Sequence, residues 1–231
     1  MTNRSKEDKN QLVFSYLTQR NLIGWCGIVL PLAISIFPAR PTTYHGFEPS
    51  ISDYYYTDRG DILVVVLSVL GVFLFTYNGY NWKEKALTSL AALCGLAVAF
   101  VPTRVKCDLC ALSVHTGTGG VIGPYFSGEG WHLSFAATFL LCLAIMSVHY
   151  FPKTDAKSLR TPSGKLTQKA KRNRVYKICG WTMIASIAIL GIYFLVKPSL
   201  PGIPVIFLFE TIAVEAFGIS WITKGETLWP D

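Results

Sequence analysis

Glu210 and Glu215 lie inside the last long apolar run of the chain, from Ile203 to Ile222. An ionised carboxylate in hydrocarbon costs at least about 2.5 kcal/mol, so a segment that keeps two must turn them toward protein or water. Chemistry open to such groups includes proton relay, headgroup contact and polar packing. Glu210 lies seven residues into the run, roughly 10 Å deep, and Glu215 roughly 18 Å deep at about 1.5 Å per residue. Five residues rotate a helix by about 140°, so the two acids cannot share one face.

Other polar groups are expected at the depth of Glu210. His132 opens an apolar run from Leu133 to Phe151, with Glu129 just before it. Asp53, Asp58 and Asp61 precede another run that starts at Ile62. A cleft containing Asp53, His132 and Glu210 is the arrangement these positions suggest. His149, at the far end of its run, reads as a wet anchor.

Cys107 and Cys110 form a Cys-Asp-Leu-Cys pair in a loop. In an oxidising compartment a short disulfide is the first reading. Metal ligation with His115 and His45 is an alternative, although one Cys-x-x-Cys pair supplies only two of the four ligands of a structural zinc site. Cys26, Cys94, Cys142 and Cys179 read as small apolar helix residues. The six glycines from Gly117 to Gly130 lack the Gly-Lys-Ser/Thr ending of a phosphate-binding loop. No serine-nucleophile motif, two-carboxylate metal box or cofactor motif is read, and no metal site is assigned.

The elements that must position these groups are helices in a membrane. Of 231 residues 51% are hydrophobic and only 15% charged, with a positive mean hydropathy that a soluble domain of this size rarely shows. Apolar segments at about 21–37, 62–77, 86–101, 133–151, 176–196 and 203–222 each approach the roughly 20 residues that cross a bilayer. The expectation is an all-α polytopic bundle of six transmembrane helices, with residues 1–20 and 223–231 as tails. Lys and Arg sort 16 to one side and 5 to the other across the six segments. Both termini are therefore expected in the cytoplasm, and the membrane to be a plasma membrane or bacterial inner membrane.

The first segment has no small-residue cleavage site after Phe37-Pro38-Ala39-Arg40, so it reads as an uncleaved helix, bent at Pro31. Before it, Ser5 and Asp8 could cap a short interfacial helix. Ala91, Gly95 and Ala99, at steps of four, mark the third helix as closely packed. The stretch from Lys153 to Lys177 carries nine Lys and Arg, a topology determinant that could also touch anionic lipid. It has no interleaved aromatics, so nucleic acid is not expected as a partner. Membrane lipids are, and oligomeric state is left open.

Pro49-Ser50-Ile51-Ser52-Asp53 before the second helix, His132 opening the fourth, Arg172 to Gly180 entering the fifth and Glu210 eight residues before Gly218 form a pattern. Together these features resemble the Frag/DRAM/Sfk group of six-helix membrane proteins. With the ending Ala216-Phe217-Gly218-Ile219-Ser220-Trp221, the chain also looks like related bacterial membrane proteins. The resemblance implies a link to lipid remodelling or lipid organisation, without an established catalytic chemistry, and a Ser-Asp motif on the non-cytosolic side. It carries over to Ser52, Asp53, His132 and Glu210. The Cys- and Gly-bearing outer loop and the basic inner stretch depart from the group.

The leading expectation is a multi-pass protein that binds or organises lipid through an outward-facing cleft of Ser52, Asp53, His132, Glu210 and Glu215. A proton-coupled transporter or channel using the two glutamates is the alternative. A metal-dependent intramembrane hydrolase at His132 is the third reading.

Overall fold

Helices dominate because apolar runs, unbroken by turn residues, can satisfy their backbone only internally when no water is near. The computed structural model describes residues 2–36, 47–79, 81–101, 103, 129–153, 160–161, 164–196, 198, 200 and 202–227. Among them six helices form: α1 (Thr2–Ser35), α2 (Gly60–Thr76), α3 (Trp82–Phe100), α4 (Glu129–Ile145), α5 (Gln168–Val196) and α6 (Val205–Lys224). A 3-10 turn, Ser52–Tyr56, precedes α2, and one π-helical turn, Met146–Tyr150, continues α4. The described residues contain no strand, only an isolated antiparallel bridge between Arg160 and Leu166.

Each helix packs on its neighbours in sequence, and α6 closes the ring against α1. The α1/α6 seam depends on glycine. A Cβ at Gly218 would sit 2.6 Å from Ile28 Cγ1 and 2.7 Å from the Gly24 carbonyl oxygen, so the backbones meet where side chains are missing. In α3, Ala91 and Ala99 are fully buried and Gly95 faces Phe139, as the small-residue spacing leads one to expect. Ser147 and Ser220, both fully buried, join α4 to α6 through a 2.7 Å hydroxyl hydrogen bond.

Four stretches are long and apolar enough to cross a membrane: Tyr16–Ser35, Gly130–Tyr150, Gln168–Val196 and Val205–Lys224. The α2 helix is apolar but shorter. Around the bundle Leu22, Val29, Val65, Leu93, Ile178, Ile192 and Leu195 stand exposed. So broad an apolar exterior suits lipid as the surrounding solvent.

Two expectations need correction. The segment around Ser5 and Asp8 is not a separate interfacial helix, because α1 runs unbroken from Thr2 to Ser35 with Pro31 inside it. Nor is Lys153 to Lys177 one loop. The α5 helix begins at Gln168, earlier than the apolar run, because Gln168 to Arg174 contains no helix breaker and Ala170, Arg172 and Asn173 bury one face against the bundle. Lys169, Lys171, Arg172, Arg174 and Lys177 are therefore helical residues.

Candidate functional site

The sequence from Glu48 to Tyr56 crosses one end of the bundle, between the starts of α4 and α6 and the end of α3. Two backbone-centred bonds fasten it to α6. The Phe207 N–H, free in the first turn because no side chain caps the helix, donates to the Pro49 carbonyl at 2.8 Å. In return Glu210 Oε2 accepts the Ile51 N–H at 2.7 Å. Phe207 also stacks on Phe47 at 5.2 Å between ring centroids and tilts against Tyr54 at 5.8 Å.

Ser50 then turns the chain, its Oγ accepting the Asp53 N–H at 3.0 Å. This points Ser52 at α4. Its Oγ lies 2.8 Å from His132 Nε2, while His132 Nδ1 lies 2.6 Å from the Val101 carbonyl oxygen. A carbonyl only accepts, so Nδ1 carries a hydrogen; in the neutral ring Nε2 is then the lone-pair side and Ser52 O–H donates to it. Asp53 completes the group, its Oδ1 accepting from Thr103 at 3.4 Å. Glu48, Ser50, Ser52, Asp53 and His132 are all buried, His132 to 3% exposure. Around them Glu210, Thr103 and Tyr56 are half-buried and Phe47 is exposed.

Tyr56 donates to the Thr103 carbonyl at 2.5 Å. Burial pushes its phenol up to about 12, helped by the nearby Tyr55 and the Asp53 carboxylate. Burial also raises Tyr54 and Tyr55.

Of the residues singled out in the sequence, Ser52, Asp53, His132 and Glu210 thus come together. Glu215 does not join them. It is half-buried one and a half turns further along α6, and among the described residues no hydrogen bond or ion pair reaches it. The side chain of Glu129, the Cys107–Cys110 pair, His45 and His115 lie outside the described residues. Both ring nitrogens of His132 are engaged by protein groups, and among the described residues no three His, Cys, Asp or Glu side chains gather as a metal site.

The arrangement has two chemical capacities. Its carboxylates, Glu48, Asp53 and Glu210, share this end of the bundle with the rings of Phe47, Tyr54 and Phe207, a combination that attracts a cationic group. Its Ser52 and His132 have the hydrogen-bond order of a nucleophile and its base, with the ring held by a third group.

Sequence reading missed a second polar assembly at the opposite end. Glu84, Arg172 and Lys224 are buried there, at 1%, 4% and 7% exposure. Arg20, Lys169, Arg172 and Glu84 all lie within electrostatic reach of the Lys224 ammonium. Phe217, Trp221 and Lys224, at steps of four and three on α6, carry the signal that this lysine shares a buried face.

No family model matches the chain, and no curated protein or solved structure matches it either.

Proposed function

We propose that this is a multi-pass membrane protein with six spanning helices and cytoplasmic termini, which binds membrane lipid at the Ser52 end of the bundle. The likeness to Frag/DRAM/Sfk proteins and the 16 to 5 distribution of Lys and Arg support this reading, in which that end lies outside a plasma membrane or bacterial inner membrane. The observation that carries it is the convergence of Glu48, Asp53, Glu210, Ser52 and His132 on one segment at the end of an apolar bundle. Three carboxylates beside aromatic rings favour a headgroup bearing an ammonium over an anionic one.

The test is lipid exchange. Protein in nanodiscs of mixed phosphatidylethanolamine and phosphatidylglycerol is recovered and its bound lipid compared with the bulk. The reading predicts enrichment of phosphatidylethanolamine, reduced in Asp53→Asn and in Glu210→Gln. Equal lipid composition in wild type and both variants would sink it.

One distance favours a second reading. With Ser52 Oγ 2.8 Å from His132 Nε2, the pair could attack a lipid ester. Ser52 Oγ would bond to the acyl carbon as its proton passes to Nε2; the alcohol would leave with that proton, and water or another alcohol would release the acyl group. Covalent labelling of Ser52 by a fluorophosphonate, lost in His132→Gln, would support acyl transfer. Folded wild type that resists the probe would leave lipid binding alone.

A further inference from the structure

The Lys224 end holds a polar assembly that the outward site neither uses nor needs. Four helices supply it: Arg20 from α1, Glu84 from α3, Lys169 and Arg172 from α5, and Lys224 from α6, with Glu226 just beyond. Four basic side chains face two carboxylates, so the basic groups outnumber the acidic ones by two. Both carboxylates are engaged within the assembly, and Glu84 also acts on Lys224. Glu84 Oε1 accepts from the Tyr77 hydroxyl at 3.1 Å, and Glu226 pairs with Arg172 at 3.5 Å.

Beneath the cations lies a floor of aromatic rings. Trp221 meets Tyr77 at 5.1 Å and Phe151 at 5.2 Å, and Phe151 meets Tyr176 at 5.4 Å, all nearly edge to face. Three cations sit over rings: Arg20 over Tyr77 at 5.7 Å and over Tyr16 at 5.5 Å, Lys224 over Phe151 at 5.4 Å and Lys169 over Tyr176 at 5.7 Å. Ring faces soften the desolvation of a cation but do not neutralise it. Trp221, Tyr77, Phe151 and Tyr176 are buried, while Arg20, Lys169 and Glu226 are only half-buried.

A second, independent observation concerns donors. The Arg20 Nε–H and the Trp221 indole N–H, the latter on a fully buried side chain, have no hydrogen-bond acceptor. Buried donors are almost always paired, so two at one end of a bundle call for an acceptor. A group that brings negative charge and several acceptor oxygens would answer both the surplus of basic side chains and the unpaired Arg20 donor.

We propose that the Lys224 end is an anion site that takes a phosphate group, held by Arg20, Lys169, Arg172 and Lys224. Arginine and lysine together suit phosphate, which accepts forked and single charge-assisted hydrogen bonds on its several oxygens. The phosphate has two sources, a phospholipid headgroup lying beside the helix ends or a soluble phosphate. This site stands apart from the Ser52 end and does not rest on the lipid reading given for it.

The test uses the purified full chain in an uncharged detergent, with thermal unfolding followed by tryptophan fluorescence. Inorganic phosphate and dihexanoyl phosphatidic acid are titrated separately, against sodium chloride of equal ionic strength and dihexanoyl phosphatidylcholine. A saturable rise in Tm with phosphatidic acid alone assigns the site to lipid, and a rise with both probes assigns it to the phosphate group itself. Arg20→Gln and Lys169→Gln should each weaken the midpoint concentration at least tenfold, and Lys224→Met should do the same if it folds. Glu226→Gln, which removes negative charge, should tighten it. The proposal is overturned by a rise no larger than sodium chloride gives, or by unchanged midpoints in Arg20→Gln and Lys169→Gln.

Discussion

Replacing Glu210 separates a clamp from a proton carrier. In the structure its Oε2 accepts the Ile51 N–H at 2.7 Å, and Ile51 itself is 6% exposed. A hydrogen bond to a charged acceptor contributes about 1.5–3 kcal/mol, and a buried N–H left without an acceptor costs about 1–3 kcal/mol. Glu210→Ala therefore should destabilise the protein by about 2–3 kcal/mol, because the Ile51 N–H loses its acceptor and the Pro49–Asp53 segment loses a tie to α6. Glu210→Gln keeps a carbonyl oxygen at the same place and loses only charge assistance, so about 1 kcal/mol is expected. For a chain of this size the two values correspond to Tm losses of about 4–12 °C and about 2–4 °C. The assay is thermal unfolding of purified protein in detergent, with amide hydrogen exchange across residues 49–53 as a local readout. Exchange there should accelerate in Glu210→Ala and stay close to wild type in Glu210→Gln. If both variants match wild type in Tm and exchange, the clamp is wrong, and Glu210 is free for another role.

Gly218→Val should be strongly destabilising, by about 1–3 kcal/mol or more, because its Cβ would collide with Ile28 and the Gly24 carbonyl across the α1/α6 seam; the check is folded yield and Tm. The Ser147–Ser220 bond predicts a coupling of about 0.6 kcal/mol, and no more than about 1.7 kcal/mol, in a double-mutant cycle to Ala. Ultraviolet titration should show Tyr56 ionising near 12. Its folded value is raised above that of the unfolded chain, so its contribution is complete below pH 10 and declines as pH rises toward 12. Tyr56→Phe should remove that alkaline component.

Glu210 was visible in the sequence because an acid in an apolar run stands out, and the positions of Asp53 and His132 before their runs set all three at one depth. Its partner was not visible. The Ile51 N–H is a backbone group 159 residues away, and backbone groups leave no trace in composition. Ser52 and His132 were each singled out, but 80 residues separate them, and neither spacing nor pattern says that one hydroxyl meets one ring nitrogen. The opposite end was hidden for a different reason. Charges beside membrane segments ordinarily report topology, so Arg172 and Lys224 read as edge markers until helix packing turned them inward. Helix starts were misplaced at α1 and α5 because hydropathy locates the apolar core of a helix, whereas the helix continues through polar residues that favour it.

Lipid binding at the Ser52 end turns on what occupies that end in a membrane. A density map of the protein in nanodiscs of its native lipid measures this. Headgroup density is expected within hydrogen-bonding distance of Asp53, Ser52 or Glu210, with acyl chains running down the apolar exterior. Lipid density confined to that exterior, with the polar group filled only by protein side chains, would contradict it.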